Sequence, residues 1–189
     1  MNIFLSVSSD IPEKVKEKYR GIISFLEING NLVTETFLRE SSKKEEPGNI
    51  HEIVYKEVLE KIDKSDILIA DISFPSGGVG YQIYHALYQK KPVVIVYTND
   101  KGANPSFIIR GVTSAHAFLI EYKDFDDLKP ELLKKIEKAK KLLKVRFNLV
   151  INNADFAFLE TESKKRDTSK TAYLNRLIKR ARSEREKSE

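Results

Sequence analysis

The sequence predicts a doubly wound α/β domain built on a parallel five-stranded sheet, followed by a small β-α-α module. Three observations predict it. Apolar runs of strand length alternate with segments of helical period along residues 1–144. Those runs are apolar throughout, as strands covered on both faces are. After Val145 the pattern changes to one strictly alternating segment and two short helices.

Asn2 to Ser8 is the first strand, with Ile3, Phe4, Leu5 and Val7 nearly continuous. Pro12 to Asn29 places Val15, Tyr19, Ile22, Ile23 and Leu26 at helical spacing, and Asn29-Gly30 stops that helix. Leu32 to Thr36 is a strand, and the polar stretch from Glu40 to Asn49, with Pro47-Gly48, is a loop. Ile50 to Lys64 is a helix and Asp66 to Ile72 a strand. Gly80 to Gln89 is a helix that follows a glycine-rich turn, and Pro92 to Tyr97 is a strand. Phe107 to Gly111 reads as a helical turn, Ala117 to Glu121 as the fifth strand and Pro130 to Lys144 as an amphipathic helix. Ligands of such sheets bind beyond the carboxyl ends of the strands, here Ser8-Ser9, the segment after Thr36, Asp71 to Gly80 and Thr98 to Ser106.

Composition bounds the chemistry. Of 189 residues 41% are apolar and 32% charged, enough for a core with a heavily charged exterior. No run approaches the roughly 20 apolar residues of a membrane helix, and Met1 to Asp10 has no signal-peptide pattern. With no cysteine and three histidines (His51, His85, His116), disulfides and thiolate chemistry are excluded and neither a metal nor another cofactor is expected. The chain reads as cytoplasmic. The net charge of +5 is uneven: residues 1–144 hold 22 basic against 21 acidic side chains, and residues 145–189 hold 11 against 7. A basic tail suggests a polyanionic partner.

In DISFPSGGVGYQIYHA (residues 71–86), Pro75, Gly77, Gly78 and Gly80 join a strand to a helix. Either the backbone N–H groups and Ser76 cradle a phosphate at a helix N-terminus, or glycine serves the geometry of the turn alone. It is neither a dinucleotide fingerprint nor a Walker loop.

The stretch SDILIADISFPSGGVGYQIYHALYQKKPVVIVY resembles the nucleoside 2-deoxyribosyltransferase superfamily, and within it the 2′-deoxynucleoside 5′-monophosphate N-glycosidases. IFLSVS, LVTE (32–35), IHE (50–52) and NPSFIIRG (104–111) extend the likeness over about residues 1–130. The resemblance implies a flavodoxin-like fold, a dimer and chemistry at an N-glycosidic bond. It implies phosphate contacts from Ser76 and, across subunits, from Ser106, with Gly78, Gly80 and Arg110 retained. It places the nucleophilic carboxylate directly after GVGY, where this chain has Gln82. A second carboxylate, eight residues before Asp66, falls on Val58 beside Glu57. The aromatic residue of the first strand, usually tyrosine, is Phe4. An amide is a poor nucleophile, so the expectation is a nucleotide-binding domain that has lost hydrolysis. The alternatives are an active N-glycosidase or transferase using Glu57 or Asp71, or an engineered glutamate-to-glutamine form. Ser8 and Asp71 end strands at the ligand edge, Asp71 within reach of a sugar hydroxyl. Asp100 and Asn104 lie in a loop that could fold over a ligand.

Arg146 to Asn152 (RFNLVIN) alternates, a helix then runs to about Arg166, and Asp167-Thr168-Ser169 breaks it. A last helix carries Ala172, Tyr173, Leu177, Ile178 and Ala181 on its inward side. Residues 145–184 resemble a ribbon-helix-helix domain, with 185–189 a frayed end. That resemblance implies an intermolecular ribbon in the DNA major groove, with Arg146, Asn148 and Val150 facing bases. Thr168, Ser169 and Lys170 would hold phosphate. The combined expectation is a homodimeric, nucleotide-responsive binder of double-stranded DNA, and the plainer alternative is a dimerising module alone.

Overall fold

β1 (Asn2–Ser6) forms where Ile3, Phe4 and Leu5 leave no polar face, and it pairs in parallel with two neighbours. The computed structural model describes residues 1–35, 50–100, 102–143 and 149–186, which divide into two compact units, Met1–Lys144 and Val145–Glu189. In the first unit α1 (Glu13–Ile28), β2 (Leu32–Glu35), α2 (Ile50–Lys64), β3 (Ile67–Asp71), α3 (Gly77–Tyr88), β4 (Val93–Tyr97), α4 (Phe107–Arg110), β5 (Ala117–Glu121) and α5 (Phe125–Lys140) follow in order. The all-parallel sheet runs β2-β1-β3-β4-β5. This is the flavodoxin-like α/β fold, whose topological switch point lies between β1 and β3.

The sheet buries both faces. Ile3, Leu5, Ile67, Ile69, Val94 and Val96 pack against α1 and α5. Phe4, Leu68, Ala70, Val93 and Ile95 pack against α2 and α3. Adjacent residues of one strand thus belong to opposite cores.

Two helices start earlier than their composition suggests. α3 begins at Gly77 rather than Gly80, because Ser76 takes the cap: its Oγ accepts the N–H of Val79 at 3.3 Å. α5 begins at Phe125 rather than Pro130, because the Asp124 side chain caps the N–H of Asp127 at 2.9 Å and Leu128 is buried. Pro130 lies inside the second turn, not at the start. α1 ends with Gly30 at φ 76°, where the N–H of Asn31 reaches the carbonyl of Leu26.

The second unit holds α6 (Asn153–Lys165) and α7 (Lys170–Glu186). Asn152 caps α6 through the N–H of Asp155, and Ser169 caps α7 through the N–H of Ala172. Asp167 at φ 46° ends α6, and the N–H of Thr168 closes on Ser163. Among the described residues of this unit only Ser163 and Tyr173 are buried. On the expected inward face of α7, Tyr173 is buried and Leu177 half-buried, while Ala172, Ile178 and Ala181 are exposed in the single chain. Leu149 to Asn152 form no strand here, as an intermolecular ribbon needs a second chain; Arg146 and Asn148 lie outside the described residues.

Candidate functional site

At the switch point β1 delivers Ser6, Val7 and Ser8 and β3 delivers the segment Ile72 to Ser76, all at the carboxyl edge. Ser73 anchors the second segment. Its Oγ accepts the N–H of Thr98 at 3.0 Å and its carbonyl accepts the N–H of Asn104 at 2.8 Å. With that loop held, Ser76 aims α3 so that its first turn faces outward. Val79 is buried while Gly77 and Gly78 are exposed.

The glycines are not required by the protein itself. Gly77, Gly78 and Gly80 have ordinary negative φ. A Cβ at Gly77 would meet nothing within 4 Å, one at Gly78 only Ser76 Oγ at 3.7 Å, and one at Gly80 only Ile109 Cδ1 at 3.5 Å. Glycine inside a helix costs about 1 kcal/mol relative to alanine, so turn geometry does not account for them. They leave the backbone of this turn open to close approach. The N–H groups of Gly77 and Gly78, at the start of a helix, have no intrahelical acceptor and carry the positive end of the helix dipole. N–H groups placed in this way are the kind that bind anions.

Three buried polar side-chain atoms lack a partner among the described residues: Ser6 Oγ, Gln82 Oε1 and Arg110 Nε. Buried polar atoms are paired as a rule, so each asks for an explanation. All three belong to the α2/α3 half. Ser6 follows Phe4 by two along β1, Gln82 lies between Val79 and Ile83, and Arg110 follows Ile109, which packs on that same core. The guanidinium of Arg110 stacks on Tyr97 and Phe107, with ring centroids 5.5 and 4.5 Å away. All three atoms are closed off from solvent, so a ligand reaches them only where this half opens. Ser6 escaped the sequence reading, although its period-2 relation to Phe4 was a usable signal.

The other expected residues are placed as follows. Phe4 is fully buried in the α2/α3 core, so it packs and does not present itself to a ligand, which corrects its expected place among the ligand contacts. Ser8 is buried and accepts the N–H of Asp10 at 3.3 Å. Ser106 caps α4 through the N–H of Ile109 at 3.4 Å. Val58 is core, and Glu57 pairs at 3.1 Å with Lys61, which in turn reaches the carbonyl of Glu35 on β2 at 3.0 Å.

Asp71 is fully buried on the opposite, α1/α5 side. Its Oδ1 accepts the N–H of Ser73 at 2.7 Å and its Oδ2 the hydroxyl of Tyr122 at 2.8 Å. Tyr19 also bonds to it. Burial pushes its carboxyl above the usual carboxylate range, and the bonds from Ser73, Tyr122 and Tyr19 pull the other way. A sugar-binding or catalytic Asp71 on the Gln82 side is therefore corrected: the strand directs it into the other layer.

In the second unit Val150 is 96% exposed. Lys170 lies 3.7 Å from Glu160 and over the ring of Phe156. The Ser169 hydroxyl is engaged in its cap. His85 and Gln89 meet Asp63 on the outer surface of α2 and α3, away from the carboxyl edge. Among the described residues no acidic or histidine cluster could hold a metal ion, and no helix is long and apolar enough to cross a membrane.

No family model matches the chain. A protein of Nematostella vectensis assigned as a 2′-deoxynucleoside 5′-phosphate N-hydrolase is 31% identical over 118 residues, covering 61% of this chain and 79% of that protein. One of Thermofilum pendens with the same assignment is 25% identical over 127 residues, covering 67% of this chain and 89% of its own. Among solved structures, a CMP N-glycosidase of Clostridium botulinum shares the fold, with a TM-score of 0.52 at 21% identity over 70% of this chain and 98% of that one.

Proposed function

The chain belongs to the 2′-deoxynucleoside 5′-phosphate N-hydrolase family, and we propose that its first unit binds such a nucleotide at the β1/β3 switch point and acts slowly on its N-glycosidic bond. The observation that carries this is the first turn of α3, whose glycines have room for a side chain; Ser6, Gln82 and Arg110 add polar atoms that lack a partner among the described residues. The 5′-phosphate would sit on the N–H groups of Gly77 and Gly78. The sugar and base would take the bonds offered by Ser6, Gln82 and Arg110.

Gln82 sets the chemistry. Cleavage of a deoxynucleoside develops positive charge at the anomeric carbon, which a carboxylate stabilises or captures. A neutral amide does neither well. The route open to it is direct: Gln82 Oε1 orients a water whose oxygen bonds to the anomeric carbon. The N-glycosidic bond breaks, its electron pair leaves with the base, and the base takes up the proton. The products are free base and 2-deoxyribose 5-phosphate, with no covalent intermediate. The test is calorimetric titration with deoxynucleoside monophosphates, run beside chromatographic detection of free base. Nucleotide binding with slow base release supports the proposal, and absence of binding removes it.

Self-association is part of the same proposal. Tyr81, Tyr84 and Tyr88 line an exposed side of α3, with Tyr55 of α2 in contact through its hydroxyl at 2.8 Å from that of Tyr81. Phe107 and Ile108 of α4 are exposed beside the candidate site. A second copy covering this side would bring its own α4, with Ser106, toward the nucleotide. In the second unit Phe156, Phe158 and Ile178 are exposed on helices that bury almost nothing. That favours a paired ribbon-helix-helix module able to hold DNA through its ribbon residues Arg146, Asn148 and Val150 and through Thr168, Ser169 and Lys170 at the start of α7. Sedimentation of the full chain against a form lacking residues 145–189, with salt-dependent retention on DNA, tests this reading.

A further inference from the structure

Asn99 and Arg110 stand at the two ends of the segment that carries Ser106, and both are tied to one pair of strand residues. Tyr97 of β4 and Glu121 of β5 are register partners, so their side chains leave the sheet on the same side. The Tyr97 hydroxyl donates to Oε2 of Glu121 at 3.2 Å, and the Asn99 amide donates to Oε1 of the same carboxylate. At the other end the guanidinium of Arg110 lies over the Tyr97 ring, 5.5 Å from its centroid. A cation within about 6 Å of an aromatic centroid is attracted by the ring face. The Phe107 ring meets the same guanidinium at 4.5 Å.

The position of α4 gives these contacts their consequence. Ile109 packs on the α2/α3 core, and its Cδ1 lies 3.5 Å from where a Cβ on Gly80 would stand. α4 thus adjoins the first turn of α3, and Arg110 directly follows Ile109. Tyr97 is half-buried and packs against the same core, which makes its ring a fixed seat. A free arginine loses rotamer freedom when it takes up a ligand, and one already seated on a ring has lost part of it beforehand.

We propose that Tyr97 is a positioning residue of the nucleotide site: its ring seats the Arg110 guanidinium, and Glu121 holds that ring by its hydroxyl. The proposal rests on the nucleotide reading given above. Tyr97 and Glu121 touch no nucleotide in this arrangement; they act through Arg110.

The test is a double-mutant cycle on the full chain. Its readouts are calorimetric titration with 2′-deoxynucleoside 5′-monophosphates and the Arg110 Nε–Hε resonance. Arg110→Ala should weaken nucleotide binding by about tenfold or more, and Tyr97→Leu by about threefold to tenfold. Tyr97→Phe keeps the ring and should recover most of the affinity. In the Arg110→Ala background Tyr97→Leu should bring no further loss, the mark of a residue that acts only through another. Tyr97→Leu should also move the Nε–Hε resonance by removing a ring current, which a general loss of stability would not do. If Tyr97→Leu does not fold, Glu121→Ala, at an exposed position, takes its place in the cycle with a loss of about twofold to threefold. Three results would each overturn the proposal and leave the nucleotide reading in place: equal binding by the native chain and the folded variant, a full further loss in the Arg110→Ala background, or an unmoved Nε–Hε resonance in Tyr97→Leu. A native chain that binds no nucleotide would overturn both.

Discussion

The hydroxyl of Tyr122, just beyond β5, donates to Oδ2 of Asp71 at the end of β3 across 2.8 Å. That bond commits the carboxylate nearest the glycine-rich turn in sequence to the α1/α5 layer. Gln82 is left on the α2/α3 layer with an unpartnered amide oxygen. The two residues are eleven apart in sequence and on opposite sides of one sheet.

Removing the bond is expected to be costly. Tyr122→Phe takes a donor from a fully buried acid and should lower stability by about 1.5–3 kcal/mol, read as a fall in the urea midpoint. Asp71 also sets a pH dependence. Burial raises its folded value above the unfolded one, so above about pH 4 the folded state holds more proton than the unfolded state. Stability from this group is greatest below that pH and declines as pH rises toward the folded value. Asp71→Asn should flatten that decline across a series of urea midpoints.

The same geometry governs two of the eight tyrosines. Burial, and then the neighbouring Asp71, push the phenols of Tyr19 and Tyr122 well above the ordinary tyrosine range. In an ultraviolet alkaline titration both should stay un-ionised to about pH 12 and appear only with unfolding. Tyr122→Phe should shorten that late step by one tyrosine.

At Gly78 stability and binding should separate. Its φ is ordinary and a Cβ has room, so Gly78→Ala should raise stability by about 0.5–1 kcal/mol. The added methyl stands where the phosphate would approach. Nucleotide affinity should fall about tenfold, or 1.4 kcal/mol. A glycine that merely shaped the turn would give the opposite pair of results.

These residues also mark what could be read from the sequence. The five strands and most of the helices were legible because continuous apolar runs and helical period leave few alternatives. Asp71 was not. A strand buried on both faces has no polar alternation to tell which side its last residue takes, so Asp71 looked like a ligand of the same site as Ser76. Ser6 was missed although its period-2 relation to Phe4 placed it on the α2/α3 side; one hydroxyl in an apolar run does not by itself show that it lacks a partner. The early start of α3 was hidden by glycines that look like loop and adopt helix.

The most direct measurement is the rate of free base release from deoxynucleoside monophosphates by the native chain and by Gln82→Glu, together with their binding. The prediction is that both bind, that the native chain releases base slowly, and that Gln82→Glu releases it faster by about a hundredfold or more, the scale on which a placed carboxylate acts. A native chain that binds no nucleotide, or a Gln82→Glu variant that binds and is no faster than the native chain, would contradict the proposed role of this site.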